Sequence, residues 1–193
     1  MLALSASCVN PENGEAENNL YFNVKGLLDG QIVMMDSLKP SLVKKAVLKG
    51  DPDHSTFQPD SAAWARELEL FYELDLNKTS LRDKYKIERT FQEDFAQQAI
   101  VYSSLDEEET AVDQVKIVFE HGQPRLLEGV YNSKSPLFNS RRNLSIWFAP
   151  LDSVNVISAY AISGAQKMVW TDTVYFEIEG KLAYPGHEGA SNH

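Results

Sequence analysis

The sequence predicts an α+β domain in which two N-terminal helices pack on a curved antiparallel β-sheet, a meander or half-barrel. Three observations carry that expectation. Apolar residues recur at spacings of three and four in the first third of the chain, as on one face of a helix. From about Tyr85 onward, short segments enriched in β-branched and aromatic residues take over, separated by turn signals. No strand-helix alternation runs through that second half, so its strands are expected to pair antiparallel rather than through parallel crossovers. At 193 residues, the chain is long enough for one domain with a substantial core. A hydrophobic content of 43% is that of a folded protein rather than a disordered one.

The first helix is expected over Phe22 to Lys39, where Val24, Leu27, Leu28, Ile32, Met35 and Leu38 share a face and Pro40 is the stop. Gly26 and Gly30 weaken it, and Met34 and Met35 read as core filling. "SLVKKAVLKG" reads as a strand ending at Gly50, followed by a loop, "DPDHSTFQPD". Lys39, Lys44, Lys45 and Lys49 gather positive charge there, either as the guard of an edge strand or as a contact for anionic lipid headgroups. Asp60 is placed to cap a second helix from Ser61 to about Asp75, whose apolar stripe is Trp64, Leu68, Phe71 and Tyr72.

Seven later segments read as strands: "QQAIVYSSL", "AVDQVKIVFE", "PRLLEGVYN", "NLSIWFAP", "VNVISAYAIS", "KMVWTDTV" and "VYFEIEGKL". The turns between them are read at Asp106 to Glu109, "HGQP", "NSKSP", "PLDS" and "SGAQ". Val115, Ile117 and Phe119 alternate with Lys116 and Glu120, and Leu144, Ile146 and Phe148 form a second such face. The terminal "YPGHEGASNH" shows no core pattern. The expected division is residues 1–19 as signal remnant and tether, 20–184 as a single α+β domain and 185–193 as a disordered tail.

The N-terminus carries the strongest functional hint. "LALSASC" places an apolar stub and the small residues Ser5, Ala6 and Ser7 directly before Cys8, the chain's one cysteine. That order resembles the cleavage box of bacterial lipoproteins, departing from it at Leu4 and Ser5. The resemblance implies that Cys8 becomes the lipid-bearing first residue of the mature chain. The polar "VNPENGEAENN" that follows has a tether's composition, and "WARELELFYELDLNK" is similar to a segment of uncharacterised bacterial cell-envelope lipoproteins. A periplasm-facing or surface location in the envelope, with the membrane reached by the lipid anchor alone, is what the resemblance implies.

Composition narrows the partners. With 28 acidic against 18 basic residues and a formal net charge of −10, the protein repels nucleic-acid phosphates, so no nucleic-acid partner is expected. One cysteine cannot form an intramolecular disulfide. His54, His121, His187 and His193 show no metal-ligand spacing, and no phosphate loop, dinucleotide fingerprint or nucleophile elbow is present. No catalytic residues, metal or cofactor are therefore assigned. Asp106, Glu107, Glu108 and Glu109 read as a charged hairpin tip, lacking the spacing of a calcium loop. Asn77 and Asn143 each open a glycosylation-type triplet.

Two functions from different classes remain. The first is a non-enzymatic envelope lipoprotein binding a hydrophobic small molecule or an envelope protein, with Trp147, Tyr160, Trp170 and Tyr175 as candidate ligand-binding aromatics. In predicted layout it is similar to the curved-sheet carriers that move lipoproteins through the periplasm. The alternative is a hydrolase using Glu67, Glu73 and Asp75 of the second helix with His54.

Overall fold

The structure, a computed structural model, describes residues 20–92, 96–170 and 172–186. Cys8 and the whole expected tether lie outside the described residues. The element order is α1 (Val24–Leu38), β1 (Ser41–Leu48), β2 (Asp51–Phe57), α2 (Ser61–Glu67), two 3-10 segments (Glu69–Leu74 and Thr79–Leu81), β3 (Tyr85–Gln92), β4 (Gln97–Ser104), β5 (Val112–Glu120), β6 (Gln123–Lys134), β7 (Phe138–Leu151), β8 (Val154–Met168) and β9 (Val174–Ala183). The nine strands form one open antiparallel sheet in the order β2-β1-β9-β8-β7-β6-β5-β4-β3. From β3 to β9 the sheet is a meander of sequential neighbours. The β1–β2 hairpin then adds at the free side of β9, pairing Leu42 with Leu182.

Local chemistry explains the helix ends. Asn23 caps α1 through its side-chain oxygen, which accepts from the Gly26 amide at 2.7 Å. Lys39 closes it in the left-handed conformation, donating its amide to Met35. The buried positions of α1 are Val24, Leu28, Gln31 and Met35. Gln31, though polar, is buried because it satisfies an irregular stretch of backbone. The β7–β8 register skips Ser158, and there Gln31 donates to the Asn155 carbonyl and accepts from the Ile157 amide, both at 2.8 Å.

Several expectations are corrected. The second helix stops at Glu67, and Glu69–Leu74 continues as 3-10. Its fully buried residues are Leu68, Phe71 and Leu74, a spacing of three that stacks one face of a 3-10 helix and drifts around an α-helix. The expected loop after Gly50 is strand β2, exposed at all seven positions, so it carries no alternation to read. β1, and with it Lys44 and Lys45, is an inner strand, and β2 and β3 are the edges. The turn expected at "SGAQ" lies inside β8, while the chain turns within the expected strand "KMVWTDTV". Gly164 sits in β8 because a Cβ there would meet the Arg141 carbonyl oxygen and the Phe176 ring. Tyr184, read as the last residue before the tail in one reading and as part of "YPGHEGASNH" in the other, is buried and donates its hydroxyl to the Ile157 carbonyl at 2.7 Å.

One face of the sheet carries the core. Across the strands, Ile117, Leu127, Ile146 and Tyr160 stand in a single row, each essentially inaccessible. Gly180 and Lys44 continue that row on β9 and β1. The helical segments meet this face at specific places. Leu74 fills the space over Gly129, and the Phe71 ring lies edge-on to Tyr160 with centroids 6.0 Å apart.

Candidate functional site

The positions singled out in the sequence fall into two environments, and the alternation of the strands decides which. On β8 and β9, Tyr160, Phe176 and Gly180 face the core side, so Ala161, Ser163, Ala165, Tyr175 and Glu177 face the opposite side. Tyr160 is 1% exposed. Its hydroxyl donates to Glu67 at 2.6 Å, and burial, followed by that hydrogen bond, raises its phenol far above the ordinary tyrosine value. Glu67 also receives Lys44 on both carboxylate oxygens, at 2.7 and 2.9 Å. This triad fastens the end of α2 to the sheet, and Gly180 makes room for it, since a Cβ there would run into the Tyr160 ring.

The other three aromatics are accessible. Trp147 is 39% exposed on β7, on the side opposite the core. Tyr175 is 70% exposed at the start of β9, and Trp170 is 98% exposed in the β8–β9 turn. The structure thus brings Trp170 and Tyr175 together along one hollow of about 1030 Å³, shared with Lys49, Met168 and Asp172. It sets Trp147 apart on the outer face and encloses Tyr160 in the core.

Tyr175 also borders a groove of about 450 Å³ on the outer face. Small residues of β8, Ser163, Gly164 and Ala165, form its floor; Arg141 and Asn143 line the β7 side, and Val47 and Glu177 the β1–β9 side. These walls follow from register, because Arg141, Ala165 and Tyr175 share one row and Asn143, Ser163, Glu177 and Val47 the next. Asp113 fixes the Arg141 wall. It is a buried carboxylate at a register shift in β5, accepting from Arg141 Nη1 and Asn132 Nδ2, each at 2.5 Å. The remaining guanidinium donors of Arg141, which is 59% exposed at its side chain, are available to an anionic group. The groove therefore offers a cation, a carboxylate, an amide and the apolar surfaces of Val47 and Tyr175.

The carboxylates considered for hydrolysis are engaged separately. Glu67 is in the triad, Glu73 pairs with Lys78 at 2.8 Å on the surface, and Asp75 accepts from Asn77 at 3.2 Å. His54 is exposed on edge strand β2 opposite Lys45, whereas Lys44, the partner of Glu67, points to the other face. Among the described residues no three His, Cys, Asp or Glu side chains gather as metal ligands do. At the β4–β5 turn, the Asp106 side chain accepts from the Glu108 amide at 2.8 Å, and Glu109 pairs with Lys84.

Sequence reading missed Arg141, Asp113 and Glu177. A buried aspartate in "AVDQVKIVFE" interrupts its alternation, which was the available signal. It also missed the structural role of Asn77. That side chain accepts from the Tyr21 amide at 3.0 Å and donates to the Tyr21 and Phe22 carbonyls, fixing the chain's entry into α1. Comparison of the chain with protein-family models, curated proteins and solved structures finds no match.

Proposed function

We propose that the protein is a non-enzymatic binding module of the bacterial cell envelope, attached through lipid on Cys8, that takes an amphipathic ligand in the outer groove of its sheet. In this reading the sheet is a half-barrel whose inner face is covered by the two helical segments. The observation that carries it is the groove itself. Its volume is in the range of small-molecule sites, and it sets the free donors of Arg141 beside the apolar faces of Val47 and Tyr175. An anionic head on Arg141 and an apolar body along Val47 and Tyr175 match that lining. The order of apolar stub, small residues, Cys8 and polar tether supports the anchor.

Native mass spectrometry of the chain purified without detergent tests the groove. A retained, extractable adduct that is lost in Ala165→Trp, which fills the floor, is the expected result. A clean unliganded mass in both proteins overturns the small-ligand reading. The exposed Trp147 and Val43 on the same outer face favour a second reading, in which that face takes a partner protein. For the anchor, Cys8→Ser in the full-length exported precursor is expected to move the protein from the membrane to the soluble fraction.

A further inference from the structure

The charges of the outer groove are not those that suit a purely anionic ligand. Of the residues that line it, the ionised ones are Arg141 on the β7 side and Glu177 on the β1–β9 side. Arg141 reaches the groove already balanced, because the buried Asp113 carboxylate accepts from its Nη1 at 2.5 Å. Glu177 is exposed and, among the described residues, is in no ion pair. Two carboxylates thus stand against one guanidinium, on a chain whose net charge is itself −10. The flanking charges lie outside the groove. One row away on the outer face, Lys45 stands opposite Glu179; on the other side, Lys49 and Lys167 border the neighbouring hollow with Asp172. An anion alone would gain the free donors of Arg141 and meet repulsion from Glu177.

We propose that the groove takes a ligand with a zwitterionic head, its anion on the free donors of Arg141 and its ammonium on Glu177. This deepens the groove reading given above and rests on it. Register places the two charges on opposite walls. Arg141 is on β7 and Glu177 on β9, either side of β8 and in adjacent outward rows. Two strand spacings, about 10 Å, separate those walls, and the floor between them is made of Ser163 and Ala165, side chains too short to bridge the charges. A head bearing both signs neutralises each wall where it stands, and the order of the charges fixes which way round it lies. Selectivity comes from Glu177, which repels a purely anionic head and offers an acceptor to ammonium N–H groups. A zwitterionic phospholipid headgroup and a free apolar amino acid share this chemistry.

The test uses the full 193-residue chain and matched single-chain probes below their micellar range, with affinities read by native mass spectrometry titration. Lauroyl lysophosphatidylethanolamine and lauroyl lysophosphatidylglycerol share an acyl chain and a phosphodiester, and differ in whether the head ends in an ammonium or in hydroxyls. The ethanolamine probe is expected to bind about tenfold tighter, and Ala165→Trp to abolish binding of both. Glu177→Gln, a change of equal size at an exposed position, should bring the ethanolamine probe down to the affinity of the glycerol probe. Glu177→Lys should make the glycerol probe the tighter of the two, with thermal melting confirming that each variant is folded. Phenylalanine separates the two sources. If it binds and Glu177→Gln weakens it, the site serves free amino acids; if it fails where the ethanolamine probe binds, the site serves lipid headgroups. Equal affinities for the two lysolipids, or a preference that survives Glu177→Gln, overturns the zwitterionic head and leaves the amphipathic groove standing. Binding of no probe, phenylalanine included, or binding untouched by Ala165→Trp, overturns the groove reading and this proposal together.

Discussion

Along β8 the same strand passes from Tyr160, sealed against Phe71 and Glu67, to Met168, largely in solvent. The stretch of sheet met by α1 and the 3-10 segment and the stretch that projects beyond them share strands, register and hydrogen-bond ladder. They differ in what fixes their side chains. At the packed end each residue has one admissible neighbour, so side-chain volume is specified to within a methyl group. At the projecting end the ladder alone holds the backbone, and side chains are free to serve a surface. Stability is thus expected to reside at one end of the sheet and recognition at the other.

Alkaline titration breaks that comparison most completely. Burial raises the phenols of Tyr85, to about 12, and of Tyr102, Tyr160 and Tyr184 above their ordinary value near 10. Because the folded-state values are raised, the stability these groups contribute is whole below pH 10 and is lost as pH climbs from there toward the folded values. Cooperative unfolding above pH 10, with tyrosinate absorbance appearing in the same transition as loss of circular dichroism, is expected. Phenols that ionise well before unfolding would show the packed end to be looser than described.

Two glycines then give a matched pair. Gly180→Ala drives a Cβ into the immobile Tyr160 ring and should cost about 3 kcal/mol by urea denaturation. Gly50→Ala, in the β1–β2 turn, meets no atom within 4 Å and suffers only from φ of +90°; its expected cost is about 1 kcal/mol. Equal costs would contradict the division between the ends. Between these two lies Glu67→Ala, which leaves Lys44 and Tyr160 without their acceptor and should destabilise by about 2 kcal/mol. The smallest effect is expected at Trp64, fully buried with an indole N–H that has no hydrogen-bond partner among the described residues. In Trp64→Phe the loss of ring volume is offset by removing that unmet donor, for a net change within about 1 kcal/mol; a loss of several kcal/mol would reveal a partner for the N–H.

The same contrast explains what could be read from the sequence. Val115 and Ile117, and Leu144, Ile146 and Phe148, announce strands because half of each strand is buried. α1 is legible from its stripe, its cap and Pro40. By contrast β2 has a partner on one edge and nothing on either face, so hydrogen bonding makes it a strand while its hydropathy has no period. Gly164 reads as a turn because its use, admitting the Phe176 ring, depends on a neighbouring strand. Trp170 and Tyr175 could be singled out as aromatics, whereas Arg141 could not, its orientation being set by Asp113 from 28 residues earlier in the chain. Periodicity reports burial, and a groove built from register across four strands leaves little trace in any one segment.

The pairing of β1 with β9 has a consequence for how the chain is made. Hairpins from β3 to β9 can zip up in order as they are synthesised, each closing a short loop. β1 must wait for a partner about 140 residues downstream, and so must the carboxylate clasp between Lys44 and Glu67 on which α2 is seated. Until the last strand emerges, the β1–β2 hairpin has no sheet edge to pair with. A sheet of this topology stays incomplete until β9 has formed, which makes β9 its assembly checkpoint.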